Sequence, residues 1–126
     1  MSTPRILIVD DDTSLCLVVE KLLADEGYQV HTATDTAVAM ELIAHNHYDL
    51  LVLDYLMPGM NGVEIFRHAR ELQPDVAGVF LTAHTTIDTV FPAIDAGVER
   101  VLAKPVDARE LLPVVRQLVG EASQAR

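Results

Sequence analysis

The sequence predicts an α/β domain in which a parallel sheet of five strands carries helices on both faces. Short apolar runs alternate about five times with longer segments of helical periodicity, a pattern typical of strand–helix units joined by right-handed crossovers. Three of the runs are almost continuously apolar, as expected for parallel strands that are buried on both faces. The predicted strands are residues 6–9, 29–33, 50–53, 79–81 and 101–103.

The segments between the strands place apolar residues three and four positions apart, on one face of a helix. These stripes contain Leu15, Val18, Val19, Leu22 and Leu23 in the first helix, Val38, Ala39, Leu42 and Ile43 in the second, and Ile65, Ala69 and Leu72 in the third. Pro92 and Pro113 fall inside the fourth and fifth helical patterns. We expect these two helices to bend, because proline removes a backbone hydrogen bond.

Capping signals mark the ends of the helices. Gly27 and Gly97 follow the first and fourth helical patterns, where glycine enters the left-handed conformation at little cost. The sequences Asn61-Gly-Val-Glu64 and Asp107-Ala-Arg-Glu110 predict capping boxes at the start of the third and fifth helices.

Length and composition indicate one folded domain. The chain has 126 residues, of which 50% are hydrophobic and 22% are charged, a balance typical of globular proteins. We expect a single domain over residues 1–126, with its core at about 5–119 and a frayed tail at 120–126. The net charge of −10 and the nine scattered basic residues argue against nucleic-acid binding, which needs clustered Lys and Arg.

The cysteine count and the hydropathy pattern predict a cytoplasmic protein. Cys16 is the only cysteine, which excludes an internal disulfide and favours a reducing compartment, and we expect it to pack in the core. No apolar run approaches the roughly 20 residues that a membrane helix needs. The first residues also lack the pattern of a signal peptide, so no membrane association is expected.

Charged and hydroxyl side chains follow four of the five predicted strands. Asp10, Asp11 and Asp12 follow the first strand, Asp54 the third, Thr82 the fourth, and Lys104 with Pro105 the fifth. Because ligands of open parallel sheets bind outside the carboxyl ends of the strands, we expect these groups to converge at one edge.

Converging carboxylates repel one another unless some are protonated or a cation lies among them. Oxygen ligands with room for water suit Mg²⁺. A cation, the Lys104 ammonium and the Thr82 hydroxyl would together stabilise a transferring phosphoryl group. Asp54 lies centrally and is the candidate carboxylate nucleophile, which would form an aspartyl phosphate.

Four segments together resemble the signature of response-regulator receiver domains. They are Ile-Leu-Ile-Val-Asp10-Asp11-Asp12, Leu53-Asp54-Tyr-Leu-Met57-Pro58-Gly-Met-Asn-Gly62, Leu81-Thr82-Ala83 and Ala103-Lys104-Pro105. The resemblance extends over about residues 5–119. It implies a flavodoxin-like doubly wound sheet with strand order 2-1-3-4-5 and five helices on both faces.

The resemblance also implies a role for each site residue. Asp54 would accept a phosphoryl group from a phosphohistidine on a sensor histidine kinase or a phosphotransfer protein. Asp11, Asp54 and the backbone carbonyl of Leu56 would bind Mg²⁺, and Asp10 would act through a bound water. Lys104 would pair with the phosphoryl group. Thr82 would donate a hydrogen bond to it as the switch hydroxyl.

The signal is expected to leave through the surface formed by the fourth helix, the fifth strand and the fifth helix. That surface would control a partner or effector domain, and the resemblance also implies that a homodimer forms through it. The chain would be no enzyme beyond its own Mg²⁺-dependent phosphorylation and dephosphorylation. The family commonly has an aromatic residue at the position of Val101. We therefore expect residues 82–88 and the fourth helix to lead the movement.

Two other functions fit parts of the pattern. Asp10-x-Asp12 after an apolar strand resembles the start of a haloacid-dehalogenase-type phosphatase, but nothing in such an enzyme explains the motif around Asp54. A degenerate receiver would dock partners without phosphorylation, but the intact set of Asp54, Thr82 and Lys104 argues against it. Turnover of free phosphomonoesters would favour the phosphatase, and absence of phosphoryl uptake would favour the docking module.

Some acidic and imidazole side chains have simpler interpretations. We interpret Asp12 as the acidic residue that favours the start of the first helix. His45 and His47 lie at a helix end before a strand and are not interpreted as a metal site. His84 lies two residues after Thr82, close enough to influence the access of water.

Overall fold

A five-stranded parallel sheet with helices on both faces forms the protein. The computed structural model describes residues 3–57, 59, 61–83 and 96–120. The strands are β1 (Arg5–Val9), β2 (Gln29–Ala33), β3 (Leu50–Asp54), β4 (Ala77–Thr82) and β5 (Arg100–Ala103). The helices within these ranges are α1 (Thr13–Asp25), α2 (Thr36–His45), α3 (Gly62–Leu72) and α4 (Ala108–Val119).

The strand order is β2-β1-β3-β4-β5, with every neighbouring pair parallel. This confirms the predicted fold class and order. The fourth predicted helix, with Phe91 and Pro92, lies outside the described residues, so α4 is the fifth helix of the prediction. Pro113 lies inside α4. None of the described helices is long and apolar enough to cross a bilayer.

Alternate strand residues build a core on each face of the sheet, because side chains on a strand point to opposite faces in turn. On one face Leu7, Leu53 and Phe80 pack with α2 and α3. On the other face Ile8 and Val52 pack with α1 and α4. β3 and β4 are buried along their whole length, which confirms the expectation for continuously apolar strands.

The helix stripes are confirmed only in part. In α1 the buried residues are Cys16, Val19 and Leu23, whereas Val18 is 57% exposed. These three residues are three and four positions apart and so lie on one face of the helix. Val18 is rotated about 100° from Val19 around the helix and therefore lies outside that face. Leu72, in the last turn of α3, is 52% exposed.

The side chain of Gln73, the C-cap residue of α3, makes three hydrogen bonds to the backbone between α2 and β3 and at the end of α2. The Gln73 side chain donates to the carbonyls of Ile43 and Asn46 at 3.0 and 2.8 Å and accepts from the Tyr48 amide at 2.8 Å. A polar side chain therefore lies between the end of α3 and the end of α2. Val38, at 44% exposed, also departs from its predicted stripe.

The capping signals of the sequence are largely correct. Asn61 and Glu64 form the predicted capping box at α3. Asp107 caps α4 by accepting from the Arg109 amide at 2.9 Å, so a simple N-cap replaces the box predicted there. Gly27 and Gly97 have φ of 101° and 97°, the left-handed conformation that was expected of them.

Two hydrogen bonds fasten tyrosine hydroxyls far from the carboxyl ends of the strands. Tyr28 donates to the carbonyl of Gly120 at 2.7 Å and ties the end of α4 to the core. The Tyr48 hydroxyl lies 2.7 Å from His31 Nδ1. Tyr55, at the end of β3, instead packs edge-on against Phe80, with ring centroids 5.8 Å apart.

Gly78 lets α3 pack closely on β4. A Cβ atom at this position would overlap the ring of Phe66, whose other neighbours are Phe80 and the Arg70 guanidinium, 4.8 Å above the ring. Both Gly78 and Phe66 are buried, so little room exists for the ring to move away. The absence of a side chain at residue 78 therefore sets the distance between helix and sheet.

We predict that Gly78→Ala lowers the free energy of unfolding by about 1–3 kcal/mol, because overpacking forces strain on a close-packed core. Denaturant unfolding measures this loss. Adding Phe66→Leu should relieve the overlap, so the double variant should be more stable than the sum of the single effects implies. Simple additivity would contradict the proposed steric cause.

Candidate functional site

The carboxyl ends of β1, β3, β4 and β5 bring the predicted site residues to one edge of the sheet. Asp10 directly follows β1, Asp54 ends β3, Thr82 ends β4 and Lys104 directly follows β5. Asp10, Asp54 and Thr82 are 0%, 7% and 3% exposed. Buried polar groups need partners, so their contacts decide what the edge can do.

Lys104 is the common partner of the two buried carboxylates. Its ammonium lies 2.9 Å from Asp10 Oδ2 and 3.4 Å from Asp54 Oδ1. Because β4 separates β3 from β5 in the sheet, the lysine side chain reaches across a strand end to make these ion pairs. The Lys104 amide also donates to the Thr82 carbonyl at 2.8 Å, which joins the ends of β4 and β5.

Backbone and thiol groups fix the two carboxylate residues further. Asp10 Oδ1 accepts from the Asp12 amide at 2.9 Å, and the Asp10 carbonyl accepts from the Cys16 thiol at 3.3 Å. Burial, together with the charge of Asp10, raises the pKa of Cys16 to about 11, so the thiol keeps the proton it donates. Asp54 Oδ1 lies 3.4 Å from the amide of Leu56, whose side chain is exposed.

Burial, and after it the charge of the Asp10 carboxylate, raises the pKa of Asp54 from 3.8 to about 6. Lys104 and the Leu56 amide offset part of this effect. For Lys104, burial acts to lower the pKa, but the Asp10 and Asp54 carboxylates outweigh it and hold the pKa above 10.5. Lys104 therefore stays protonated, and the carboxyl groups of the cluster outnumber this one ammonium.

The donor set at this edge fits a hard divalent cation. One oxygen each from Asp10, Asp11 and Asp54 lies within 4.8 Å of the others, and this is the one such cluster among the described residues. Asp10 Oδ2 is buried, and the Lys104 ammonium lies 2.9 Å from it. Three carboxylates against one ammonium leave excess negative charge. Oxygen donors beside solvent suit Mg²⁺.

The acidic and imidazole side chains that the sequence analysis placed outside the site either lie away from this cluster or have a structural role. Asp12 accepts from the Leu15 amide at 3.1 Å and is the N-cap of α1, as the sequence indicated. His45, at the end of α2, lies 3.3 Å from Glu41, and His47 is exposed. Lys104–Pro105 is a cis peptide. His84 lies outside the described residues.

Gly62 is the site residue whose importance the sequence did not reveal. A Cβ atom there would lie 2.6 Å from the Asp54 carbonyl oxygen, so the start of α3 touches the backbone of the central carboxylate. The sequence placed Gly62 at the end of the segment around Asp54 and at the first position of a helix, directly after its N-cap Asn61, but neither placement indicated a contact with the Asp54 backbone. A glycine at the first helical position is unusual because glycine favours the other helix end.

The fold and the acidic edge together match one family of signalling domains. The sequence model of the response regulator receiver domain matches residues 6–116. The chain is 37% identical over 119 residues to Response regulator MprA of Mycobacterium sp. (strain KMS), covering 94% of this chain and 52% of that protein. It is 33% identical over 122 residues to Transcriptional regulatory protein DltR of Streptococcus agalactiae serotype III (strain NEM316), covering 97% and 54%.

A solved structure agrees with the sequence comparisons. The response regulator receiver domain protein (CheY-like) of Methanospirillum hungatei JF-1 superposes with a TM-score of 0.87 at 30% identity, over 92% of this chain and 93% of that one. The chain belongs to the family of response regulator receiver domains. It spans about half the length of the curated relatives it matches.

Membership of this family places the chain in two-component signalling. Receiver domains are generally signalling modules without enzymatic turnover, and they imply a sensor kinase or phosphotransfer partner. They generally bind Mg²⁺ through an acidic pocket, and the cluster of Asp10, Asp11 and Asp54 could hold such an ion.

The raised pKa of Asp54 predicts that Asp54→Asn stabilises the metal-free protein at neutral pH. A folded-state pKa of about 6 against 3.8 favours folding below pH 4, and that contribution is lost as the pH rises through 6. Removing the carboxylate should therefore raise the free energy of unfolding at pH 7 by about 1–3 kcal/mol.

Denaturant unfolding between pH 4 and pH 7 measures this difference in chelator-treated protein. The gap between the variant and the wild type should open as the pH rises. Asp75→Asn is the matched control, because Asp75 is exposed and outside the cluster. A gap that is constant with pH would contradict the electrostatic cause.

Proposed function

We propose that Asp54 is the acceptor of a phosphoryl group in two-component signalling. The observation that carries this proposal is the position of Lys104, whose ammonium lies 3.4 Å from Asp54 Oδ1 in a cluster of three carboxylates. The side chain of Asp54 is 10% exposed, whereas that of Asp10 is 1% exposed. Both oxygens of Asp10 are engaged, Oδ1 by the Asp12 amide and Oδ2 by Lys104, whereas the Leu56 amide and Lys104 both contact the same oxygen of Asp54, Oδ1. Asp54 is therefore the better nucleophile of the two buried carboxylates.

The transfer needs one new bond and one broken bond. A carboxylate oxygen of Asp54 attacks phosphorus while the phosphorus–nitrogen bond of a phosphohistidine breaks. The bonding electron pair returns to the imidazole, which takes a proton from solvent. Asp54 then carries an acyl phosphate, and later attack by water on phosphorus releases inorganic phosphate and restores the carboxylate. The Lys104 ammonium stabilises the charge on the phosphoryl oxygens.

Asp11, Asp54 and the backbone carbonyl of Leu56 would hold Mg²⁺ directly, and Asp10 would hold it through a water molecule. When bound, the ion would neutralise the carboxylates and the incoming phosphoryl group. The carboxylate oxygens of Asp10, Asp11 and Asp54 lie within 4.8 Å of one another, and Asp11 is exposed, which supports this assignment. The exposed Asp11 would hold the ion on its solvent side, and the buried Asp10 would hold the water molecule on its inner side.

Thr82 and Lys104 would bind the phosphoryl group and so transmit its presence to the rest of the domain. New charge and acceptor oxygens at Asp54 attract the Thr82 hydroxyl and the Lys104 ammonium. Because the Lys104 amide is bonded to the Thr82 carbonyl, the two strand ends move together. The output surface would be the fourth predicted helix, β5 and α4, which controls a partner or effector domain and provides a homodimer interface. Val101 is half-buried against the core there.

The same proposal includes one receiver domain over residues 1–126. The family match ends at residue 116, and the bond from Tyr28 to Gly120 ties the end of α4 to the core. These observations support a core that ends near residue 119. The predicted tail at 121–126 lies outside the described residues.

We predict that acetyl phosphate with Mg²⁺ adds one phosphoryl group to the wild type and none to Asp54→Asn, because the amide cannot act as the nucleophile. Intact-protein mass spectrometry measures the addition. Asp12→Asn is the control, since asparagine caps a helix as well as aspartate does, and it should be labelled like the wild type. Equal labelling of the Asp54 variant would sink the assignment, and steady turnover of free phosphomonoesters would favour a phosphatase.

We predict that beryllofluoride, a phosphoryl mimic, changes amide hydrogen exchange in residues 82–96 and 101–104 when Mg²⁺ is present. α2 should change much less and serves as the internal reference. Lys104→Arg should keep part of the phosphorylation but lose the exchange response, because a planar guanidinium does not replace a compact ammonium. A normal response in that variant, or a response confined to α2, would show that the output is different.

A further inference from the structure

The start of α3 is packed directly against the backbone of the acceptor residue. The Gly62 amide donates to the Tyr55 carbonyl at 2.9 Å. A Cβ atom at Gly62 would lie 2.6 Å from the Asp54 carbonyl oxygen and 3.3 Å from Tyr55 Cα. Both neighbours are backbone atoms, one in the last residue of β3 and one in the residue that follows it, so neither can rotate out of the way. Only glycine allows the helix to begin this close.

This contact brings the start of α3 back to the end of β3, and we call the described residues between the two elements, 55–57, 59 and 61, the arch. Leu56, near the start of the arch, has its amide 3.4 Å from Asp54 Oδ1. Gly59, in the middle, has φ of +95°, and its Cβ position lies 3.3 Å from Thr36 Oγ1 in α2. At the far end, Asn61 is held to Glu64 by the reciprocal capping box. Hydrogen bonds therefore hold both ends of the arch.

We propose that Gly62 is a positioning residue for the metal site, because it sets how closely the arch holds the Leu56 carbonyl to the Asp54 carboxylate. This inference rests on the proposed function, in which those two groups bind Mg²⁺. Gly62 touches neither the ion nor the phosphoryl group, and it acts through the backbone of Asp54 and Tyr55.

The physical reason is the narrow tolerance of Mg²⁺ for its ligand distances. The ion demands near-ideal octahedral geometry at about 2.0–2.1 Å. A methyl group at residue 62 would have to push α3 and the Asp54–Tyr55 backbone apart by several tenths of an ångström to reach an ordinary contact distance. Because Asp54 is itself a ligand, that displacement is passed directly to the metal site.

The test compares two glycine-to-alanine variants of the full chain. Gly62→Ala introduces the overlap at the arch, and Gly78→Ala introduces an overlap of similar severity between β4 and Phe66, away from the arch. Isothermal titration with MgCl₂ at low temperature, where both variants are folded by circular dichroism, gives the Mg²⁺ affinity. We expect Gly62→Ala to weaken the affinity about 10-fold or more, as for changes beside metal ligands, and Gly78→Ala to keep the wild-type affinity.

A purely structural role for Gly62 would lower thermal stability in both variants without separating their Mg²⁺ affinities, and that result would overturn the inference. If Gly62→Ala does not fold, Asn61→Ala replaces it, because it loosens the same helix start without an overlap. It should weaken Mg²⁺ binding by a smaller factor, and unchanged affinity would again overturn the inference. Failure of the wild type to bind Mg²⁺ would instead overturn the proposed function.

Discussion

The ion pair of Lys104 with Asp10 and Asp54 is the constraint on which the site depends. Two buried carboxylates at one edge of a sheet repel each other, and each is penalised by the loss of water. The ammonium of Lys104 lies within 3.4 Å of both, so it offsets the repulsion without cancelling it. The strand order makes this possible, since β1 and β4 both flank β3 and β5 follows β4.

Most of the fold could be predicted from the sequence because strand and helix periods are local properties. Continuous apolar runs indicated buried parallel strands, and the helix caps at Asn61 and Asp107 marked where α3 and α4 begin. The exposure of Val18 and Leu72 could not be predicted. An apolar stripe shows that a helix has a buried face, but the packing of other elements decides which residues lie at its centre.

The candidate site also has features that the sequence could predict and features that it could not. Ligands bind at the carboxyl ends of parallel strands, and this rule is enough to predict that Asp10, Asp54 and Lys104 lie together. The closeness of Gly62 to the Asp54 backbone could not be foreseen, because it depends on the approach of a helix to a strand end. The hydrogen bond from the Cys16 thiol to the Asp10 carbonyl could not be foreseen either, because it depends on how α1 packs against the end of β1.

The environments of the tyrosines have a practical consequence. The chain contains three tyrosines and no tryptophan, so its near-ultraviolet emission comes from phenol rings alone. The hydroxyls of Tyr28 and Tyr48 are engaged with Gly120 and His31, away from the acidic edge. Tyr55 directly follows the acceptor carboxylate and rests against Phe80. The protein therefore carries a native fluorophore beside its site, and no extrinsic dye is needed to watch ligands arrive there.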